Sequence, residues 1–170
     1  SSKDGGGGGS SAGGDWGWPF DGISSKDDVM KNSFGEQRFG PSSSRQGGFH
    51  DGWDFGTTPY AGANYGGGKI KAIHGGTVRA YNAIGMNDIW IVADDGYATV
   101  YQEYGNGADV KVGDKVSTGD QVAHFAGGSH CHIGVTKETD QMKAEAKAFT
   151  DDGTWLNPID VISGATDSSK

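Results

Sequence analysis

A single cysteine, Cys131, occurs among the 170 residues, so the chain forms no internal disulfide and lacks the thiols for a closed, cysteine-rich structural zinc site. Positive charge is also scarce. Fourteen basic side chains face 22 acidic ones, for a net charge of −8, and no stretch clusters Lys or Arg. A phosphate backbone would be repelled, which argues against a nucleic-acid partner and favours a neutral or cationic one. No apolar run approaches the roughly 20 residues that span a bilayer, and the N-terminus has no basic segment leading into an apolar one. Neither a membrane segment nor an export signal is therefore expected in this stretch.

Glycine is abundant instead: 32 of 170 residues. Each glycine lowers helix propensity by about 1 kcal/mol relative to alanine, and short Val, Ile, Thr and Tyr runs lie between them, so a helical bundle is excluded and a mainly β fold is expected. Residues 1–14 (SSKDGGGGGSSAGG) have too little apolar surface to offset their ordering entropy and read as a flexible Gly/Ser linker that tethers one domain, 15–170. Strands are expected at 70–73, 77–81, 89–92, 97–104, 110–116, 121–125 and 130–135. The turn Asp94-Asp95-Gly96 makes a hairpin of the third and fourth. Only 139–149 reads as a helix, with Thr139 as its N-cap. The architecture expected is an antiparallel β-sheet with long loops that form a groove and one short C-terminal helix.

Candidate chemistry centres on histidine. In a strand, His130 and His132 of His130-Cys131-His132 point to one face, and Cys131, Ile133 and Val135 pack the other way. Two surface histidines on an edge strand are the competing explanation. Upstream, His50-Asp51-Gly52-Trp53-Asp54 offers an imidazole and a carboxylate; glycines at 47, 48, 52 and 56 favour extended or turning backbone over a helix, and either geometry chelates. Two imidazoles and one carboxylate leave a fourth position open, as in catalytic zinc sites, where the metal activates water and polarises a carbonyl. The same donor set also describes non-haem iron oxygenases. His74 in a glycine turn and His124 on a strand read as structural, the pairs Asp94-Asp95 and Asp151-Asp152 as turns. Trp53, Tyr60 and Tyr65 serve either as groove lining or as core.

The sequence resembles the lysostaphin/LytM-type zinc metallopeptidases. His50-Asp51-Gly52-Trp53-Asp54 matches their H-x-G-x-D motif and His130-Cys131-His132 their H-x-H motif. Phe34-Gly35-Glu36-Gln37-Arg38 looks like their F-G-x-R segment, Ala72 to Val78 like A-x-x-x-G-x-V, and Val112 to Val122 like V-G-D-x-V-x-x-G-x-x-V. The similarity runs from about residue 33 to 162. It implies one zinc per chain held by His50, Asp54 and His132, with His130 beside the metal as a catalytic group. It also implies an endopeptidase acting on cross-bridge or stem peptides of bacterial peptidoglycan, outside the cell and as a monomer. One position departs from the family: where a second catalytic histidine usually ends a Y-x-H segment, Tyr101-Gln102-Glu103 places Glu103. A carboxylate can assist the attacking water, and on a strand over 97–104 Glu103 would share the groove face with Thr99 and Tyr101, opposite a core-facing Val100. The Tyr-Gln-Glu variant and the stretch 149–158 look like the phage tail and tape-measure subset, with a secreted bacterial lysin as the competing setting. A non-catalytic wall-binding or tail-structural module is the alternative function.

Overall fold

The structure, a computed structural model, describes residues 14–56, 68–128 and 130–164. Most of the expected linker, together with Tyr60 and Tyr65, lies outside the described residues. Eleven strands are described: β1 (Gly40–Pro41), β2 (Phe49–His50), β3 (Trp53–Gly56), β4 (Lys69–Lys71), β5 (Gly76–Tyr81), β6 (Ile89–Val92), β7 (Ala98–Gln102), β8 (Lys115–Val116), β9 (Gln121–His124), β10 (His130–Thr136) and β11 (Trp155–Leu156). Three short helices join them: α1 (Lys26–Lys31), α2 (Gln141–Glu145) and α3 (Pro158–Ser163).

The main sheet runs β11-β10-β7-β6-β5-β8, and β3 also pairs with β10; β4 pairs with β9, and β1 with β2. Every strand pair among the described residues is antiparallel. β10 is the spine. Its first half takes β3 on one edge, its second half takes β11, and β7 runs along the other edge. Cys131, Ile133 and Val135 are buried in the principal core with Trp53, Phe55, Ile70, Ile73 and Tyr101, which leaves His130 and His132 on the opposite face as the period of two requires. Trp53 therefore belongs to the core, and its indole N–H donates to Ser33 Oγ at 3.1 Å. A smaller cluster of Phe49, Trp90, Val100, Ala144 and Trp155 covers the second face of the sheet.

Three local expectations change. The strand expected over 97–104 ends at Gln102, and both of its faces are buried: Val100 packs in the smaller cluster, while Tyr101 is in the principal core, where its hydroxyl accepts from the Ile73 N–H at 2.9 Å. Of 110–116, only Lys115–Val116 pairs as strand. The helix expected over 139–149 is confined to Gln141–Glu145. Asp140 caps it in place of Thr139, its side chain accepting from Lys143 N at 3.1 Å. Past Ala146 the backbone bonds shorten to i→i−3 turns, with the Ala144 carbonyl taken by both Lys147 N and the Trp155 indole. Asn157, with Pro158 in the first turn, starts α3, and Gly164 in the left-handed region closes it.

Candidate metal centre and groove

The two-residue corner Asp51-Gly52 between β2 and β3 brings His50 and Asp54 together, with His50 Nε2 3.3 Å from Asp54 Oδ1. The register of β3 on β10 then sets His132 opposite Asp54. His132 Nδ1 lies 3.2 Å from Asp54 Oδ1 and 3.2 Å from His50 Nε2. Three donor atoms thus form a near-equilateral triangle, and all three residues are buried. Ligand atoms bound at about 2.0–2.1 Å around a tetrahedral ion sit about 3.3 Å from one another, so the donor set has the spacing a small divalent cation needs.

The groups behind the triangle orient it. His50 Nδ1 donates to the Arg38 carbonyl at 3.0 Å, which presents Nε2 to Asp54 and His132. His132 Nε2 lies 3.3 Å from Asp51 Oδ1, which leaves Nδ1 for the triangle. A Cβ on Gly52 would stand 2.5 Å from His132 Nε2 and 2.5 Å from the Ile133 carbonyl, so the corner passes this close only without a side chain. Arg45 Nη2 donates to Asp54 Oδ2 at 2.7 Å. His50, Asp51 and His132 also cluster closely enough to hold an ion, as do Asp54, Glu103 and His130. The Asp51 carboxylate faces His132 through Nε2, however, and the tighter triangle uses Nδ1.

His130 and Glu103 stand beside the triangle. His130 Nε2 is 3.3 Å from Glu103 Oε1 and 4.0 Å from Asp54 Oδ1, and Glu103 Oε1 is 3.9 Å from His132 Nδ1. Glu103 reaches this place by leaving β7 in the left-handed region, at φ 71°, and not by strand alternation with Thr99 and Tyr101. His74 and His124 lie apart from this cluster: His74 stacks on Trp16 and sits 2.7 Å from Asp95 Oδ2, and His124 sits 2.9 Å from Asp109 Oδ2.

Electrostatics follow from this packing. Burial alone would raise the Asp54 carboxyl, but hydrogen bonds from His132 and His50 and their charge hold it well below the usual carboxylate range. Burial would lower His132, yet the charge of Asp51 and the hydrogen bond and charge of Asp54 push it up to about 9. The hydrogen bond from His130 lowers Glu103 against its burial, and the same bond raises His130. Ligation requires neutral imidazoles; with these, Asp51, Asp54 and Glu103 against Arg45 leave two negative charges, which a divalent cation balances.

The triangle opens, through His50 and His132, into a groove of about 510 Å³ whose lining includes Ile84, Met86, Glu145, Ala148 and Phe149. Asp88, fully buried, accepts from Ile84 N and Met86 N and from Gln141 Nε2, and so ties the segment that carries Ile84 and Met86 to α2. Arg45, Asp51, Asp88 and Glu145 escape a reading of the sequence. Only Asp51, inside the H-x-G-x-D run, had a local signal.

No protein-family model and no curated protein sequence matches the chain. Solved structures do. CbpA from L. salivarius REN is 35% identical over 91% of this chain and 98% of its own, with a TM-score of 0.73. The catalytic domain of the antimicrobial peptidase lysostaphin from Staphylococcus simulans is 20% identical over 78% of this chain and 94% of its own, TM-score 0.51. Against a longer lysostaphin structure the identity is 22%, over 75% of this chain and 49% of that one, TM-score 0.52, so the match spans about half of that protein. The protein belongs to the same family as CbpA, and its fold is that of the lysostaphin/LytM-type peptidases.

Proposed function

We propose that the protein is a zinc-dependent endopeptidase that hydrolyses cross-bridge or stem-peptide bonds of bacterial peptidoglycan. The observation that carries this reading is the triangle of His50 Nε2, Asp54 Oδ1 and His132 Nδ1, with edges of 3.2–3.3 Å, whose two histidines line an open groove. The fold shared with lysostaphin, an antimicrobial peptidase, points to the same chemistry. His50, Asp54 and His132 would hold the metal, one per chain. When bound, zinc supplies Lewis acidity toward water and the scissile carbonyl. His130, beside the triangle and hydrogen-bonded to Glu103, donates a proton to the developing oxyanion or to the leaving amine. Glu103 orients that imidazole and accepts a proton from the attacking water. The groove walls suit a peptide: Met86 and Phe149 offer apolar surface to a chain laid between them. All these groups come from one chain, consistent with action as a monomer, and the substrate places the domain outside the bacterial cell, on a phage tail or as a secreted lysin.

Zymography on purified peptidoglycan tests the reading. Clearing is expected, with loss on chelation and recovery on adding zinc. Absence of clearing from metal-replete protein, or clearing indifferent to chelators, overturns it.

A further inference from the structure

The loop of residues 42–48, between β1 and β2, carries a feature that metal ligation by itself does not require. The loop closes on itself through Ser42 N to the Gly48 carbonyl and Gly48 N to the Arg45 carbonyl, both at 2.9 Å. At Gly47, φ is 68° and a Cβ would stand 2.3 Å from the Phe149 carbonyl, so the loop is pressed against the groove wall. From this base the Arg45 guanidinium reaches two acceptors at once. Nε and Nη2 donate to the Glu36 carbonyl at 3.2 and 2.7 Å, and Nη2 donates to Asp54 Oδ2 at 2.7 Å. Ser44 Oγ also bonds the Glu36 carboxylate, which fixes the loop to the 3-10 turn Gly35–Gln37.

From this geometry we infer that Arg45 is a positioning residue that holds Asp54 to a single metal-facing oxygen; the inference rests on the metal-site reading above. An aspartate with both oxygens unengaged can chelate an ion through the pair and so occupy the position that water and substrate need. Here Oδ1 faces His50 and His132, while Oδ2 is held by a short, charge-assisted hydrogen bond that would keep it from an ion bound at the triangle. The fork geometry matters as much as the charge. Lysine, a point charge on a flexible stem, does not span the Glu36 carbonyl and Asp54 together.

The test compares wild type, Arg45→Ala and Arg45→Lys, each prepared with cobalt in place of zinc for visible spectroscopy and with zinc for kinetics on peptidoglycan fragments. Arg45→Ala is expected to keep one metal per chain. Its cobalt bands weaken as Asp54 engages through both oxygens and coordination rises from four to five, and kcat falls about 10- to 100-fold, the usual cost of removing a ligand's hydrogen-bond partner, with KM little changed. Arg45→Lys restores neither. A wild-type spectrum in Arg45→Ala overturns the inference, whether or not its melting temperature drops, since Arg45 is then only a tie for the loop. A raised KM with unchanged kcat also overturns it, placing Arg45 on the substrate. Failure of wild type itself to bind metal strikes the metal-site reading and is distinguishable from both.

Discussion

Glu103 sits one residue past the end of β7 in a left-handed conformation that residues with a side chain rarely adopt. That conformation turns its carboxylate onto His130 Nε2, and strain kept at such a position is a frequent mark of function. If the pair works as one unit, His130→Ala keeps the metal and lowers turnover by roughly 100-fold or more. Glu103→Gln, which keeps the shape but removes the charge, also keeps the metal and loses most activity. Lysis rates on purified walls check both; near-wild-type lysis by Glu103→Gln makes this glutamate a spectator. The two histidines of β10 were readable because strand period alone puts them on one face. The route of Glu103 was not, because a single residue of positive φ breaks that period and leaves no trace in composition. Arg45 was equally silent: it lies in a Ser/Gly-rich loop with no periodicity, and its partner Asp54 is set by the fold.

Among the elements, α2 shows how tertiary contacts override a local pattern. Alanines and lysines over 139–149 favour a longer helix, but the Trp155 indole takes the Ala144 carbonyl and the last turn tightens. The shortened helix delivers Glu145 to the groove wall. There burial, and then the charge of Asp51, raises its carboxyl from the ordinary 4.5 to about 7. Between those values the folded chain keeps a proton that the unfolded chain releases, so this group favours folding below about pH 4.5 and the benefit is lost as pH rises through 7. Glu145→Gln removes the penalty. In chelator-treated protein its melting temperature should exceed that of wild type by more at pH 8 than at pH 5; an equal difference at both values contradicts the assignment. The hairpin of β6 and β7 was legible because a turn signal separates two apolar runs. The partnering of β4 with β9, rather than with its sequence neighbour β5, was not, because strand order depends on contacts between distant segments.

For the molecule as a whole, the sheet is a device for bringing remote segments together. His50 and Asp54 enter from β2 and β3, His132 from the spine strand 78 residues beyond Asp54, and the flanking acid from the end of β7. The two candidate metal motifs were visible in sequence as short runs, but their meeting is a matter of the register that places His132 opposite Asp54. An ion held by such a set stabilises the folded chain, because the unfolded chain has no preformed site. The most direct measurement of this account is metal content by elemental analysis of folded wild type and of His50→Ala, Asp54→Ala and His132→Ala. About one zinc per chain in wild type, with loss of the metal in each variant, is the predicted result; a folded wild type that binds no zinc, or any one variant that retains a full complement, would contradict it.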